Sequence, residues 1–277
     1  MAAPLQPSRK IQESIMKRMI LAGLALGAVL MQDLYAFSVE VEPTVSEISV
    51  PAGGSYAGVI TVTNVSKDAL EITSKIMDWE YESCAGAKKY FPTGTSRYSC
   101  SGWITYTPDS FRLEPGQSQE VHYTLTAPAA ASGGYFSMAL FGAVIPGAKT
   151  SNGVTVNIAL NMATLFVVEI ENTQDVRGSL KELDVVRSAA SGPLEVTARF
   201  RNEGNVRVNA QGRLSILNTD GSTVGWTRFP DIKTLPQDEC TTAAQWDGLG
   251  KGHYRLVATF ELAPGKLLIR EKEINIE

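Results

Sequence analysis

The chain has 277 residues, 19% of them charged and 44% hydrophobic, with a net charge of −4. That is enough for about two domains of ordinary size and too apolar for a disordered chain. Residues 1–36 hold four basic and two acidic side chains, so the rest carries 21 basic against 27 acidic, a net −6. An acidic body without a basic stripe argues against nucleic acid, whose binding rests on Lys and Arg contacts to phosphate.

Lys17-Arg18 precede an apolar run of 13 residues, Met19 to Met31, and Gln-Asp-Leu-Tyr-Ala36 follows. A basic start, an apolar middle and a small residue at a cleavage point predict a signal peptide over residues 1–36. The run falls short of the roughly 20 residues of a membrane span, so the membrane is met only during export; an uncleaved anchor is the other reading. Translation from Met16 would shorten the long leader. No cysteine lies near the cleavage point for lipid attachment, and no second apolar run of spanning length follows. The expected location is the periplasm or the cell surface.

From Phe37 the chain reads as short strands with turns between. Ser38 to Glu42 alternates, and Glu47 to Val50 leads into the turn Pro51-Ala-Gly-Gly. Tyr56 to Asn64 is a strand that ends at Asn64-Val-Ser-Lys-Asp, and Leu70 to Met77 is the returning strand. Residues 78–101 form a long polar segment that contains two cysteines. Trp103 to Asp109 leads to Phe111-Arg-Leu and the Pro-then-Gly turn Glu114-Pro-Gly-Gln. Glu120 to Ala127 alternates, with Val121, Tyr123 and Leu125 on one face and His122 on the other. Tyr135 to Ile145 is a strand, 146–153 a loop, and Val154 to Ile170 a very long strand. Along it every even position but Thr164 is apolar, while the odd ones are polar or small until Leu165 and Val167. That is the two-residue period of a strand with one buried face, over about three times the usual length.

After the polar junction Asn172 to Gly178 the pattern repeats. Leu194 to Asn202 ends in Asn-Glu-Gly-Asn, as the earlier strand ends at Asn64. Thr234-Leu-Pro-Gln-Asp takes the place of Leu113-Glu-Pro-Gly-Gln, and the Gly-His-Tyr254 strand that of the Gly-Gly-Tyr135 strand. Nothing shows sustained helical periodicity. Many short strands with turns about ten residues apart predict an all-β protein of two tandem immunoglobulin-like β-sandwich domains, residues 37–171 and 172–277, behind the signal peptide.

Cys84 and Cys100 have 15 residues between them in the polar segment, and in an exported protein a bridge between them is the expected reading. Cys240 is then left over as a buried free thiol or a cross-link elsewhere. The chain has only His122 and His253, neither near a cysteine pair with zinc-like spacing, so no metal site is expected. There is no Gly-x-Ser-x-Gly elbow, no phosphate-cradling loop and no His-Glu-x-x-His; no catalytic residue, cofactor or enzyme activity is expected. Asp78, Glu80 and Glu82 alternate beside Trp79 and Tyr81, either as paired carboxylates for acid–base work or as charges guarding an edge strand. Trp79, Tyr90, Tyr98, Trp103 and Tyr106 make residues 78–106 aromatic, either as packing under a long loop or as a surface for sugar or peptide. Asn64-Val-Ser66 is a glycosylation sequon.

Tandem sandwiches behind a signal peptide, with a long alternating strand closing the first, resemble the periplasmic pilus chaperones of the PapD-like superfamily. The resemblance covers the chain after residue 36 in architecture. It implies assembly of a pilus or surface protein by strand addition, in which the last strand of the first domain is offered to an extended segment of a secreted or pilin-like polypeptide. The residues so implied are Val154, Val156, Ile158, Leu160 and Met162. That family also holds its partner's carboxyl terminus with a basic pair, at positions matching Val45 (after Pro43-Thr44) and Thr164 here; neither is basic. The run from Ile104-Thr-Tyr through Leu113-Glu-Pro-Gly-Gln to Phe141-Gly-Ala is similar to the first domain of WxL-interacting surface proteins. That likeness implies instead a surface module that binds protein or glycan through the aromatic loop 78–106.

Overall fold

Val39 and Val41 point into the core from β1 (Val39–Glu42), and Ile48 and Val50 from β2 (Val45–Val50). Between them Pro43 has no N–H to give to a ladder, and the chain passes from one sheet to the other. The computed structural model describes residues 39–145, 158–187 and 192–277. Eight more strands complete the first sandwich: β3 (Ser55–Asn64), β4 (Leu70–Tyr81), β5 (Lys88–Phe91), β6 (Ile104–Thr107), β7 (Ser110–Leu113), β8 (Ser118–Thr126), β9 (Gly134–Ile145) and β10 (Ile158–Ile170). One sheet has the order β1-β3-β8-β6; the other has β2-β10-β9-β4-β5, with β7 also paired to β4. Their inner faces meet at Ile60, Val62, Val121, Ile72, Phe141 and Phe166, all at most 2% exposed. Tyr123 reaches across from β8 to lie edge-on to Phe166, with ring centres 5.0 Å apart. This is the all-β architecture expected from the alternation.

The second sandwich is built from β11 (Gly178–Arg187), β12 (Leu194–Asn202), β13 (Val208–Asn218), β14 (Thr223–Arg228), β15 (Ile232–Thr234), β16 (Glu239–Trp246), β17 (Gly252–Ala263) and β18 (Lys266–Ile276). Its sheets are β11-β12-β16 and β14-β13-β17-β18, with β15 on β13. The internal repeat holds for all eight of these strands, while β2 and β6 of the first sandwich have no counterpart among the described residues. β13 pairs with β14, β15 and β17 as β4 pairs with β5, β7 and β9, and β12 pairs with β11 and β16 as β3 pairs with β1 and β8. No described sheet takes strands from both sides of residues 171–177.

The repeat extends to single hydrogen bonds. Asn64 is fully buried at the end of β3; its side-chain amide donates to the carbonyls of Asp68 and Leu113, and its Oδ1 accepts the Ser66 N–H. Asn202 does the same at the end of β12, donating to Val206 and Leu235 and accepting the Gly204 N–H. Each asparagine thus ties its own turn to the proline turn that follows. In those turns Gly116 (φ 76°) and Gln237 (φ 69°) donate their N–H groups to the carbonyls of Asn64 and Asn202. With its amide so engaged, Asn64 in the folded chain is closed to glycosylation. Replacing either asparagine by Ala strands a buried N–H and two carbonyls, and is expected to cost about 2–3 kcal/mol. Equilibrium urea unfolding checks this, and Ser66→Ala should cost less than Asn64→Ala.

The cysteine expectation is overturned. The bridge joins Cys84 to Cys240, with Cα atoms 5.7 Å apart, and Cys100 is the free thiol. β4 runs to Tyr81, beyond the expected Met77, and pairs with β5 from Asp78↔Phe91 to Tyr81↔Lys88. The turn of this hairpin holds Cys84 and reaches the second sandwich, where the Cys84 carbonyl accepts the Lys233 N–H at 3.0 Å. Cys240, far from being a leftover thiol, lies on β16 to receive it. Cys100 is fully buried under the segment, where burial pushes its thiol up to about 12.

Candidate partner-binding edge

The long strand β10 has two unlike halves, and its neighbours decide which is which. Along one side it pairs with β9 from Ile158 to Glu169. Along the other it pairs with β2, in parallel, only from Leu165 to Ile170. The Leu165 N–H points to this second side, since it donates to the Thr44 carbonyl at 3.0 Å, and the Glu171 N–H does likewise to Val50. Backbone groups of successive strand residues point to opposite sides. The N–H and C=O groups of Ala159, Asn161 and Ala163 therefore face the same lane as β2, ahead of its start, and no described strand occupies that stretch.

The side chains change along the strand in the same way. Thr164, Phe166, Val168 and Ile170 are fully buried in the sandwich. On the same face, Met162 is 41% exposed and Leu160 half-buried. An apolar stripe thus leaves the core and runs out along an open sheet edge. Ile158 lies within β10, while Val154 and Val156 fall outside the described residues. The opposite face starts with exposed Ala159 and Asn161 and closes at Val167, which packs with Trp79, Phe136, Met138 and, from the second sandwich, Leu235. Beside Asn161 the sheet is low: a Cβ on Gly142 would stand 3.2 Å from the Asn161 Oδ1. A recess of about 230 Å³ lies there, lined by Lys75, Leu140, Gly142 and Asn161 among others.

The lane ends at Pro43. The Thr164 hydroxyl donates to the Pro43 carbonyl at 2.8 Å, and Val45 stands opposite Leu165. Val45 and Thr164 therefore meet at the end of the open lane, one 37% exposed and apolar, the other buried and neutral. Farther along, Arg207 of the second sandwich reaches the Glu47 carboxylate at 2.6 Å. Tyr81 packs beside Arg207; burial pushes its phenol above the ordinary range, while the guanidinium pulls the other way.

The other candidates are spent on packing. Asp78 is fully buried and accepts the N–H groups of Thr95 and Ser96 and the Ser99 hydroxyl, so it does not pair with Glu80 or Glu82. Glu80 stands opposite Lys89. Of the loop aromatics, Trp79 is buried with its indole N–H on the Ser137 carbonyl, Trp103 packs at a tilt against Tyr135 with ring centres 4.3 Å apart, and the Tyr106 hydroxyl donates to the Ser74 carbonyl. Tyr98 is half-buried and Tyr90 is 55% exposed. His122 is exposed, 3.5 Å from Glu120, and His253 is exposed at the end of the second sandwich. Among the described residues no three His, Cys, Asp or Glu side chains could hold a metal ion, and no helix is long and apolar enough to cross a membrane. The sequence shows the strand Glu47 to Val50 but not its start at Val45 or its pairing with β10, which defines the open lane; the signal for that start is the break at Pro43 between the alternations of β1 and β2.

No protein-family model and no curated protein matches the chain. Among solved structures it is similar to fimbrial chaperones. One is the chaperone–tip adhesin complex of CFA/I fimbriae biogenesis, with 15% identity over 85% of this chain and 98% of that one and a TM-score of 0.48. A second is the class 5 fimbriae chaperone CfaA, with 16% identity over 85% and 99% and a TM-score of 0.47. A third is the CsuC–CsuE chaperone–tip adhesion subunit complex of Acinetobacter baumannii, with 10% identity over 84% and 97% and a TM-score of 0.42.

Proposed function

We propose that this chain is an exported, non-enzymatic chaperone-like protein of pilus or surface-protein assembly. In this reading residues 37–171 form the sandwich that holds an extended segment of a secreted or pilin-like polypeptide, by strand addition along Ala159 to Ala163, and 172–277 form its companion. The observation that supports it is the coincidence of an open lane with an apolar stripe at Leu160 and Met162. An uncovered edge with exposed apolar side chains is a liability that folded proteins otherwise blunt with charge or proline, and main-chain pairing plus alternate side-chain pockets is how such an edge holds a peptide. At the lane's end Thr164 and Val45 offer no charge, so the grip here rests on backbone pairing and apolar contact.

The test separates edge from surface. The Asn161 N–H faces the lane, so Asn161→Pro removes a donor from the edge while leaving the ladder to β9 intact. Asn161→Pro and Met162→Asp are expected to fold with unchanged circular dichroism and to lose co-purification with the exported partner that wild type retains. In hydrogen exchange, the amides of 159, 161 and 163 should be fast in the free protein and slow in the complex. Normal capture by Asn161→Pro would refute strand addition.

A further inference from the structure

The second sandwich turns one face of its larger sheet to solvent, and the two halves of that face differ. Outward positions are read from the ladder register. Trp226, Ser215, Val257 and Glu271 form one row across β14, β13, β17 and β18. Arg228, Arg213, Thr259 and Ile269 form the next, and Gln211, Glu261 and Leu267 the third. Three large apolar side chains stand open here: Trp226 is 48% exposed, Leu267 52% and Ile269 59%. The β13–β14 half is cationic and aromatic. Arg213 faces Arg228 directly across the ladder, an arrangement that repels, and neither is in an ion pair among the described residues. The Arg213 guanidinium lies 4.6 Å from the centre of the Trp226 ring. The β17–β18 half is aliphatic and mainly acidic, carrying Leu267, Ile269, Glu261 and Glu271, the last 3.7 Å from Arg255 at the end of the same face.

We propose that this face docks a second copy of the chain, face to face, about a twofold axis lying in the interface between β13 and β17. Such an axis exchanges the halves. The two arginines of one copy arrive over the Thr259–Ile269 row of the other, flanked there by Glu261 and Glu271, and Trp226 arrives over β18 beside Ile269. The reverse contact forms at the same time, which is the condition of an isologous interface. The charge pattern picks this occupant, because a foreign partner would have to present both signs in this order while the chain already carries both. Four strands at about 4.8 Å spacing make the face only about 15 Å wide. That is small beside the roughly 800 Å² per partner of a standard stable interface, so the dimer is weak and concentration-dependent.

Sedimentation velocity of the full chain, from about 1 to about 500 µM, reads this directly; a micromolar constant is expected for so small a contact. The sedimentation coefficient should rise with concentration, and less so in high salt. Ile269→Asp, at an exposed position, should abolish the rise. Arg213→Glu/Arg228→Glu and Glu261→Lys/Glu271→Lys should each be monomeric alone and should dimerise when mixed, since the four facing positions are then all acidic in one variant and all basic in the other. Asn161→Pro should self-associate as wild type does. A wild type that stays monomeric throughout, a rise untouched by Ile269→Asp, or a rise lost in Asn161→Pro would overturn the proposal, the last by placing the contact at the β10 edge.

Discussion

Reduction of the Cys84–Cys240 bridge is expected to lower the unfolding free energy by about 5 kcal/mol, the chain-entropy value for a loop of this span. The two cysteines are 156 residues apart and belong to different sandwiches, so the bridge restrains most of the unfolded chain. Without it, the sandwiches keep the Leu235 contact with Trp79 and Val167, the Arg207–Glu47 ion pair, and the bonds from the Lys233 N–H to the Cys84 carbonyl and from the Gly134 N–H to the Asn205 carbonyl. These are few beside the separate cores. Guanidinium unfolding should therefore show one transition in the oxidised protein and two in Cys84→Ser/Cys240→Ser, the earlier at lower denaturant. Cys100→Ala should retain the single transition. Peptide mapping under non-reducing conditions should return one linked fragment carrying Cys84 and Cys240, and a Cys84–Cys100 fragment would sink the assignment.

Asp78→Ala should be the most damaging single substitution in the first sandwich, at about 4 kcal/mol. The carboxylate is fully buried and accepts the Thr95 and Ser96 N–H groups at 2.8 and 2.9 Å and the Ser99 hydroxyl at 2.6 Å. Removing it leaves buried donors without partners, each costing about 1–3 kcal/mol, and frees the loop that covers Cys100. Asp78→Asn should also be destabilising, because one acceptor oxygen becomes a donor facing donors. Thermal unfolding measures both, and reaction of Cys100 with a thiol reagent should be slow in wild type and fast in Asp78→Ala. A variant of wild-type stability with a protected Cys100 would show that other contacts hold the loop.

The Asp78 network shows why its residue was read differently in the sequence. Asp78, Glu80 and Glu82 alternate, and alternation alone gives the two faces of a strand without saying which is covered. The loop 95–99 comes back over Asp78 with its backbone N–H groups inward, and only then does a carboxylate become an anchor. The same holds for the aromatics. Trp79 and Tyr90 looked equivalent by composition, yet one is 0% and the other 55% exposed, since β9 and the second sandwich cover only one of them. Residues 78–91 read as a polar segment, with an edge strand only one reading of Asp78 to Glu82, because the hairpin β4–β5 carries mostly charged or polar side chains. Cross-strand pairs such as Glu80 opposite Lys89, rather than a buried face, carry its pattern.

Strand alternation and turn chemistry are local, so the chain by itself determined the all-β class, most strands and the repeat unit. The match of Asn64 with Asn202 was legible because an asparagine that satisfies its own turn does so within four residues. The two halves of the long strand were legible too, from the change of its odd positions at Leu165. Only the tertiary structure decided which cysteine meets Cys84, because a bridge depends on where a hairpin tip lands and spacing does not encode that. Only it decided that the strand is open at Ala159 to Ala163 and closed from Leu165, because the closing partner, β2, is more than a hundred residues away in sequence. An edge is a missing neighbour, and a sequence carries no mark for a neighbour that is absent.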